Sequence, residues 1–144
     1  MKILFFTSAM SRLKPLQGFG AKTIQMSTPS VVSKFLPLQQ YTWGNNCKAG
    51  NFVENKDLSI KHEEMPPETE EVLHYHNQSQ QFFYILKGKA AFEVDDVILI
   101  VHEGEGLSIE PRRKHRIMNK QEEEMLEFIV CSQPSTQNDR YNLV

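Results

Sequence analysis

Punctuation constrains this chain more than any other feature. Short apolar and β-branched runs are broken at close intervals by turn-forming residues, and no run has the length and period of a substantial amphipathic helix. Leu58–Met65 alternates and is stopped by Pro66-Pro67. Gln81–Leu86 is aromatic and branched enough to form a strand. Lys89–Val94 and Val97–Val101 flank Asp95-Asp96, a two-residue gap suited to a hairpin. Gly104 and Gly106 bracket a turn ahead of Leu107–Ile109, and His115–Asn119 and Met125–Ser132 complete the set. At most one helical turn is expected, within Pro29–Phe35. Many strands without crossover helices predict an all-β fold, an antiparallel jelly-roll barrel or sandwich.

A chain of 144 residues is enough for one domain with a genuine core. We read 1–40 as an N-terminal extension, 41–133 as the barrel and 134–144 as a C-terminal tail. The apolar run at Met1–Phe6 is too short for a membrane span and lacks a small-residue cleavage site, so neither a membrane nor a secretory role is expected. Two readings of 1–25 stand open: a segment upstream of a natural start at Met26, or an extra edge or swapped strand at Lys2–Phe6. The 16 Lys and Arg against 18 Asp and Glu leave no basic stripe for nucleic acid. Cys47 and Cys131 are too few for a disulfide framework and lack zinc-ribbon spacing, so buried free thiols in a cytoplasmic protein are expected.

The chemistry lies in the histidines. Side chains at i and i+2 of a strand share a face, so His74-Tyr75-His76 sets two imidazoles side by side. A tight turn over Asn77–Gln80 returns the chain so that Gln81 lies beside them, and His115 supplies a third imidazole from a strand distant in sequence. Gln80 is the backup if the strand begins one residue earlier. Three imidazoles and an amide oxygen suit one divalent transition metal, Zn, Fe, Ni, Mn, Co or Cu, whereas Mg and Ca prefer all-oxygen sites.

Taken together, these residues resemble the two sequence motifs of the cupins. His74, His76, Gly88, Gly104, His115 and Asn119 fall on motif positions. Four positions depart from the pattern: Glu68 stands in place of a Gly, Gln81 in place of the ligand Glu, Glu110 in place of a Pro and Arg112 in place of an inner Gly. The resemblance spans roughly residues 41–132 and is nearest to the small single-domain members. It implies a metal held by His74, His76, Gln81 and His115, a homodimer, and dioxygenase, isomerase or lyase chemistry on a small oxygenated or anionic substrate. The alternative is a barrel with a degenerate site that binds a small molecule or a metal without turnover. An amide in place of a carboxylate leaves the ion its full dipositive charge, which strengthens it as a Lewis acid and weakens its retention.

Beyond the metal ligands no catalytic residue is assigned. If Ile60 faces the interior, so do His62 and Glu64, which makes them acid/base candidates, although Lys61–Glu64 also reads as a solvated charge run. By the same parity Phe83 and Ile85 wall the pocket with Gln81. Phe82, Tyr84 and Leu86 face away and are expected to pack against another sheet or a second subunit. Arg112, Arg113 and Lys114 read as a solvated loop.

Overall fold

In the computed structural model, which describes residues 28–144, strands follow one another with no α-helix among the described residues. The readings of 1–25 lie outside these residues. Twelve strands run in chain order: β1 (Gln39–Trp43), β2 (Cys47–Glu54), β3 (Ser59–Met65), β4 (Thr69–Glu70), β5 (His74–Tyr75), β6 (Gln80–Lys87), β7 (Lys89–Val94), β8 (Val97–His102), β9 (Gly106–Ile109), β10 (His115–Asn119), β11 (Leu126–Gln133) and β12 (Tyr141–Asn142). They form two sheets of antiparallel strands, ordered β1-β2-β3-β11-β6-β9 and β12-β5-β10-β7-β8, with β4 also paired to β10. This is the expected jelly-roll sandwich. No helix of the described residues is long and apolar enough to cross a membrane.

The turns follow local chemistry. Asp95 and Asp96 take φ of 46° and 68°, the positive pair that a two-residue type I′ hairpin requires, and join β7 to β8. Gly88, at φ 83°, joins β6 to β7 where a Cβ would come within 2.8 Å of the Gln121 side chain. Within and just beyond Pro29–Phe35, where at most one helical turn was expected, Ser33 and Leu36 exchange backbone hydrogen bonds across a two-residue turn.

Between the sheets lies the core, with Phe83, Ile85, Phe92, Ile117, Leu126 and Phe128 as its bulk. Rows across the first sheet fix which side chains face inward. Gln81, Ser132 and Ser59 form one row, Phe83, Val130 and Lys61 the next, and Ile85, Phe128 and Glu63 the third. Along β3 the odd residues therefore face in, and Ile60 lies outside beside Cys131 and Phe82. Asn119 is fully buried, and its amide donates to the carbonyls of Met65 and Glu124 at 2.9 and 2.8 Å, which ties β10 to the ends of β3 and the loop before β11.

Residues 134–144 fold back onto the second sheet, where Tyr141 and Asn142 pair with Tyr75 and His74. Cys47 is buried and Cys131 half-buried, and both are free thiols.

Candidate metal centre

His74 and His115 are direct cross-strand partners on β5 and β10, and His76 follows β5 on the same face. Their ring centroids lie 4.4 Å (His74 to His115), 5.0 Å (His74 to His76) and 5.6 Å (His76 to His115) apart. All three are buried. Each Nδ1 is engaged by a backbone carbonyl: His74 by Val72 at 2.8 Å, His76 by Asp139 at 2.6 Å, His115 by Arg113 at 2.9 Å. A carbonyl only accepts, so each Nδ1 bears the proton and each Nε2 keeps its lone pair. Burial holds all three rings neutral: it lowers the pKa of His74 to about 4 and pulls those of His76 and His115 below the usual histidine value. Neutral imidazoles with free Nε2 lone pairs are what a transition metal takes.

Gln81 reaches this group from the opposite sheet. Its Nε2 donates to Ser132 Oγ at 3.2 Å, which turns Oε1 toward His115 Nε2 at 2.9 Å. His115 Nε2 and the end of the Gln81 amide are thus near enough to share one cation. The spacing is that of neighbouring ligand atoms around one ion with bonds of about 2.0–2.2 Å. His76 Nε2, buried, has no partner. The donor set fits a first-row transition metal on the His74, His76 and His115 cluster.

Asp139 holds the loop between β5 and β6. Its carboxylate accepts the backbone N–H groups of Asn77, Gln78 and Ser79 at 2.9, 3.0 and 2.9 Å. Those bonds keep its pKa below the usual aspartate value even though burial works the other way. Arg112, where the family pattern has its inner Gly, takes φ of 69° and donates its N–H to the His76 carbonyl at 2.6 Å. Glu68, the other Gly position, takes φ of 56°. Both positions thus hold a left-handed backbone of the kind that favours glycine.

A cavity of about 420 Å3 opens beside the imidazoles, lined by His76, Gln81 and Phe83. Ile85 lies deeper, fully buried in the core. Gln80 points away and its amide reaches toward Glu110 at 3.5 Å, so Gln81 is the residue that faces the histidines. Arg112, Arg113 and Lys114 are exposed, and Arg113 pairs with Asp95.

The condition that would bring His62 and Glu64 inside the barrel, an inward Ile60, is not met. They lie on the outer face of β3, where His62 Nε2 meets Glu127 at 3.2 Å and Lys34 binds the same carboxylate at 3.0 Å. The inward residues are Lys61 and Glu63, which line the cavity with Tyr41, Trp43 and Arg140. The parity argument failed because it assumed that isoleucine points in; the interior at this level is a polar cavity, and Ile60 packs on the outside. Glu63 carries the largest resolved carboxyl shift, pushed up to about 8 by burial and then by the nearby Glu71 carboxylate. Glu71 is itself bound to Arg140 Nη1 at 2.8 Å and sits 3.9 Å from His74 Nδ1. Reading β3 from Met65, which is apolar and precedes Pro66, would have set the parity correctly. Nothing local in 134–144 marks Asp139 or Arg140.

A family model described as a cupin domain matches residues 61–131. Among solved structures, the chain is similar to an RmlC-like cupin from Shewanella frigidimarina, with 18% identity over 78% of this chain and 98% of that one and a TM-score of 0.66. It is also similar to a sugar phosphate isomerase from a cupin superfamily of Silicibacter pomeroyi, with 11% identity, coverage of 74% and 76% and a TM-score of 0.62. KdgF from Halomonas sp. superposes with 12% identity, coverage of 69% and 91% and a TM-score of 0.62. At these identities the likeness is one of fold. Comparison with curated proteins found no match in sequence.

Proposed function

We propose, from the premise that the chain belongs to the cupin superfamily, that it is a small metal-dependent cupin acting on a small oxygenated or anionic substrate. His74, His76 and His115 are the ligands of one divalent transition metal, with the Gln81 amide oxygen as the fourth. The observation that carries this is the unpaired Nε2 of buried His76 in one cluster with the ligand atoms of buried His74 and His115. When bound, the ion supplies Lewis acidity undiminished by any ligand charge. The protein's own part is to orient the imidazoles through three backbone carbonyls and to enclose the substrate between Phe83 and the polar wall of β1 and β3. Glu63, whose pKa burial pushes up to about 8, is our candidate proton donor in that wall.

The reaction belongs to the dioxygenase, isomerase or lyase type, and the sugar phosphate isomerase among the structural neighbours supports an oxygen-rich substrate. Gln81 favours a second reading, a barrel that binds without turnover, because losing a ligand charge weakens retention of the ion. We place the protein in the cytoplasm, where its two free thiols stay reduced.

The test is metal content by mass spectrometry on untagged protein purified without chelator, for wild type, His76→Ala, Gln81→Ala and Gln81→Glu. Near-stoichiometric metal that is lost in His76→Ala, reduced in Gln81→Ala and retained more tightly in Gln81→Glu supports the centre. A wild type that takes up no iron, nickel, zinc or manganese after anaerobic reconstitution sinks it.

A further inference from the structure

The two sheets end in four strands, and three of these are poor templates for a further strand. β12 has two residues, β9 carries Gly106 and Ser108, and β1 carries Gln39, Gln40 and Thr42. β8 differs. It ends the second sheet, and Val97–Val101 holds no proline, glycine or charge that would keep another strand away. Val97, Ile98, Leu99 and Ile100 are 56, 56, 37 and 50% exposed, so both faces of the strand are apolar where the sheet stops. Among the described residues no other strand pairs with this edge. A row of unpaired N–H and C=O groups between apolar side chains is a template for one more strand.

The sequence of that edge is its own complement. Val97-Ile98-Leu99-Ile100-Val101 reads the same in both directions. Two copies of β8 related by a two-fold axis normal to the sheet run antiparallel. With the axis through Leu99, Val97 lies opposite the partner's Val101, Ile98 opposite the partner's Ile100, and Leu99 opposite the partner's Leu99. Ile98 and Ile100 pair with Glu93 and Ala91 on the outer face, so like faces meet. Beyond the apolar stretch Asp96 meets the partner's His102, and Asp95, which faces the partner's Glu103, is already paired with Arg113. Moving the axis to Ile98 sets Asp96 against the partner's Ile100, and moving it to Ile100 sets Val97 against the partner's Glu103. A slip by one residue turns the outer row over. One register remains.

We infer that the edge of β8 is an interaction surface for a second copy of this chain, joined antiparallel and in register about Leu99, so that the second sheet continues from one copy into the next. Five residues of strand are far fewer than the roughly 20–30 a side of a standard stable interface, so the contact is weak and forms as concentration rises. It uses neither the imidazoles nor the cavity. It is also separate from the row of Phe82, Tyr84 and Leu86 on the outer face of β6, which belongs to the other sheet.

Sedimentation of the full chain across a roughly hundredfold range of concentration is expected to show an average mass that climbs to about twice its dilute value or more. Ile98→Lys puts a charge opposite the partner's Ile100 and should weaken this association by about tenfold or more. Ile98→Lys/Ile100→Glu sets opposite charges across both outer pairs and should recover most of it. Both side chains are half-exposed, so the fold tolerates these changes. Register is read by disulfide cross-linking in a Cys131→Ser background, with buried Cys47 left in place. Residues directly opposite lie about 4.5–5.5 Å apart and diagonal ones about 7–8 Å, and a disulfide closes readily only over the shorter span. Leu99→Cys should therefore cross-link to itself. Ile98→Cys and Ile100→Cys should each cross-link poorly alone and well when mixed. A mass that does not change with concentration overturns the inference and leaves the edge to another occupant. Association of Ile98→Lys equal to that of wild type overturns it too, as does Ile98→Cys cross-linking to itself as fast as Leu99→Cys.

Discussion

Asp139→Ala is the sharpest probe of how the loop between β5 and β6 is held. One carboxylate accepts three consecutive backbone N–H groups from Asn77, Gln78 and Ser79. Hydrogen bonds to a charged group contribute about 1.5–3 kcal/mol each, but three on one carboxylate do not add in full. Asn77 and Gln78 are exposed, so water recovers most of their bonds, whereas Ser79 is buried and its amide is left without a partner. A loss of about 3 kcal/mol follows, which for a domain of this size lowers Tm by roughly 10–15 °C. Because the folded pKa of Asp139 is depressed, its contribution is present above the unfolded value near 3.8 and is lost as pH falls through the lower folded one. The gap between wild type and variant should stay constant from pH 5 to 8 and close below about pH 4. Calorimetric melts of both proteins with chelator present, so that metal does not contribute, give the answer. A Tm difference under about 3 °C at pH 7, or a gap unchanged at pH 3, would refute the reasoning.

Two further perturbations follow from the same structure. Glu68→Gly and Arg112→Gly relieve left-handed backbone at φ of 56° and 69°, and each should stabilise by about 0.5–1 kcal/mol, read from chemical denaturation midpoints; destabilisation by either would show that its side chain has a structural role. Phe82, Tyr84 and Leu86 present a half-exposed apolar row on the outer face of β6, and we propose that a second copy covers it, so Phe82→Glu or Tyr84→Glu should shift sedimentation from dimer to monomer or produce aggregate. An unchanged dimer would place the interface elsewhere.

The sequence by itself determined β3, β5 and β6 to β11, with the turns between β6, β7 and β8 and the inward row of Gln81 and Phe83, because a period of two and residues such as Gly88 and Asp95-Asp96 act over a few bonds; β1, β2, β4 and β12 were not legible in it. The pairing of His74 with His76 was legible for the same reason. Tertiary structure alone decided that His115 lies opposite His74, that Gln81 meets them from the other sheet, and that Asp139, from the last residues of the chain, braces the loop between them. It also reversed the reading of β3. Local pattern places isoleucine inside and charge outside, but the polar cavity between the sheets takes Lys61 and Glu63 inward, and its shape depends on strands far apart in sequence. Cross-sheet distance and burial arise only when distant segments close on one another, and the unpaired His76 Nε2 and the lowered histidine pKa values follow from that closure.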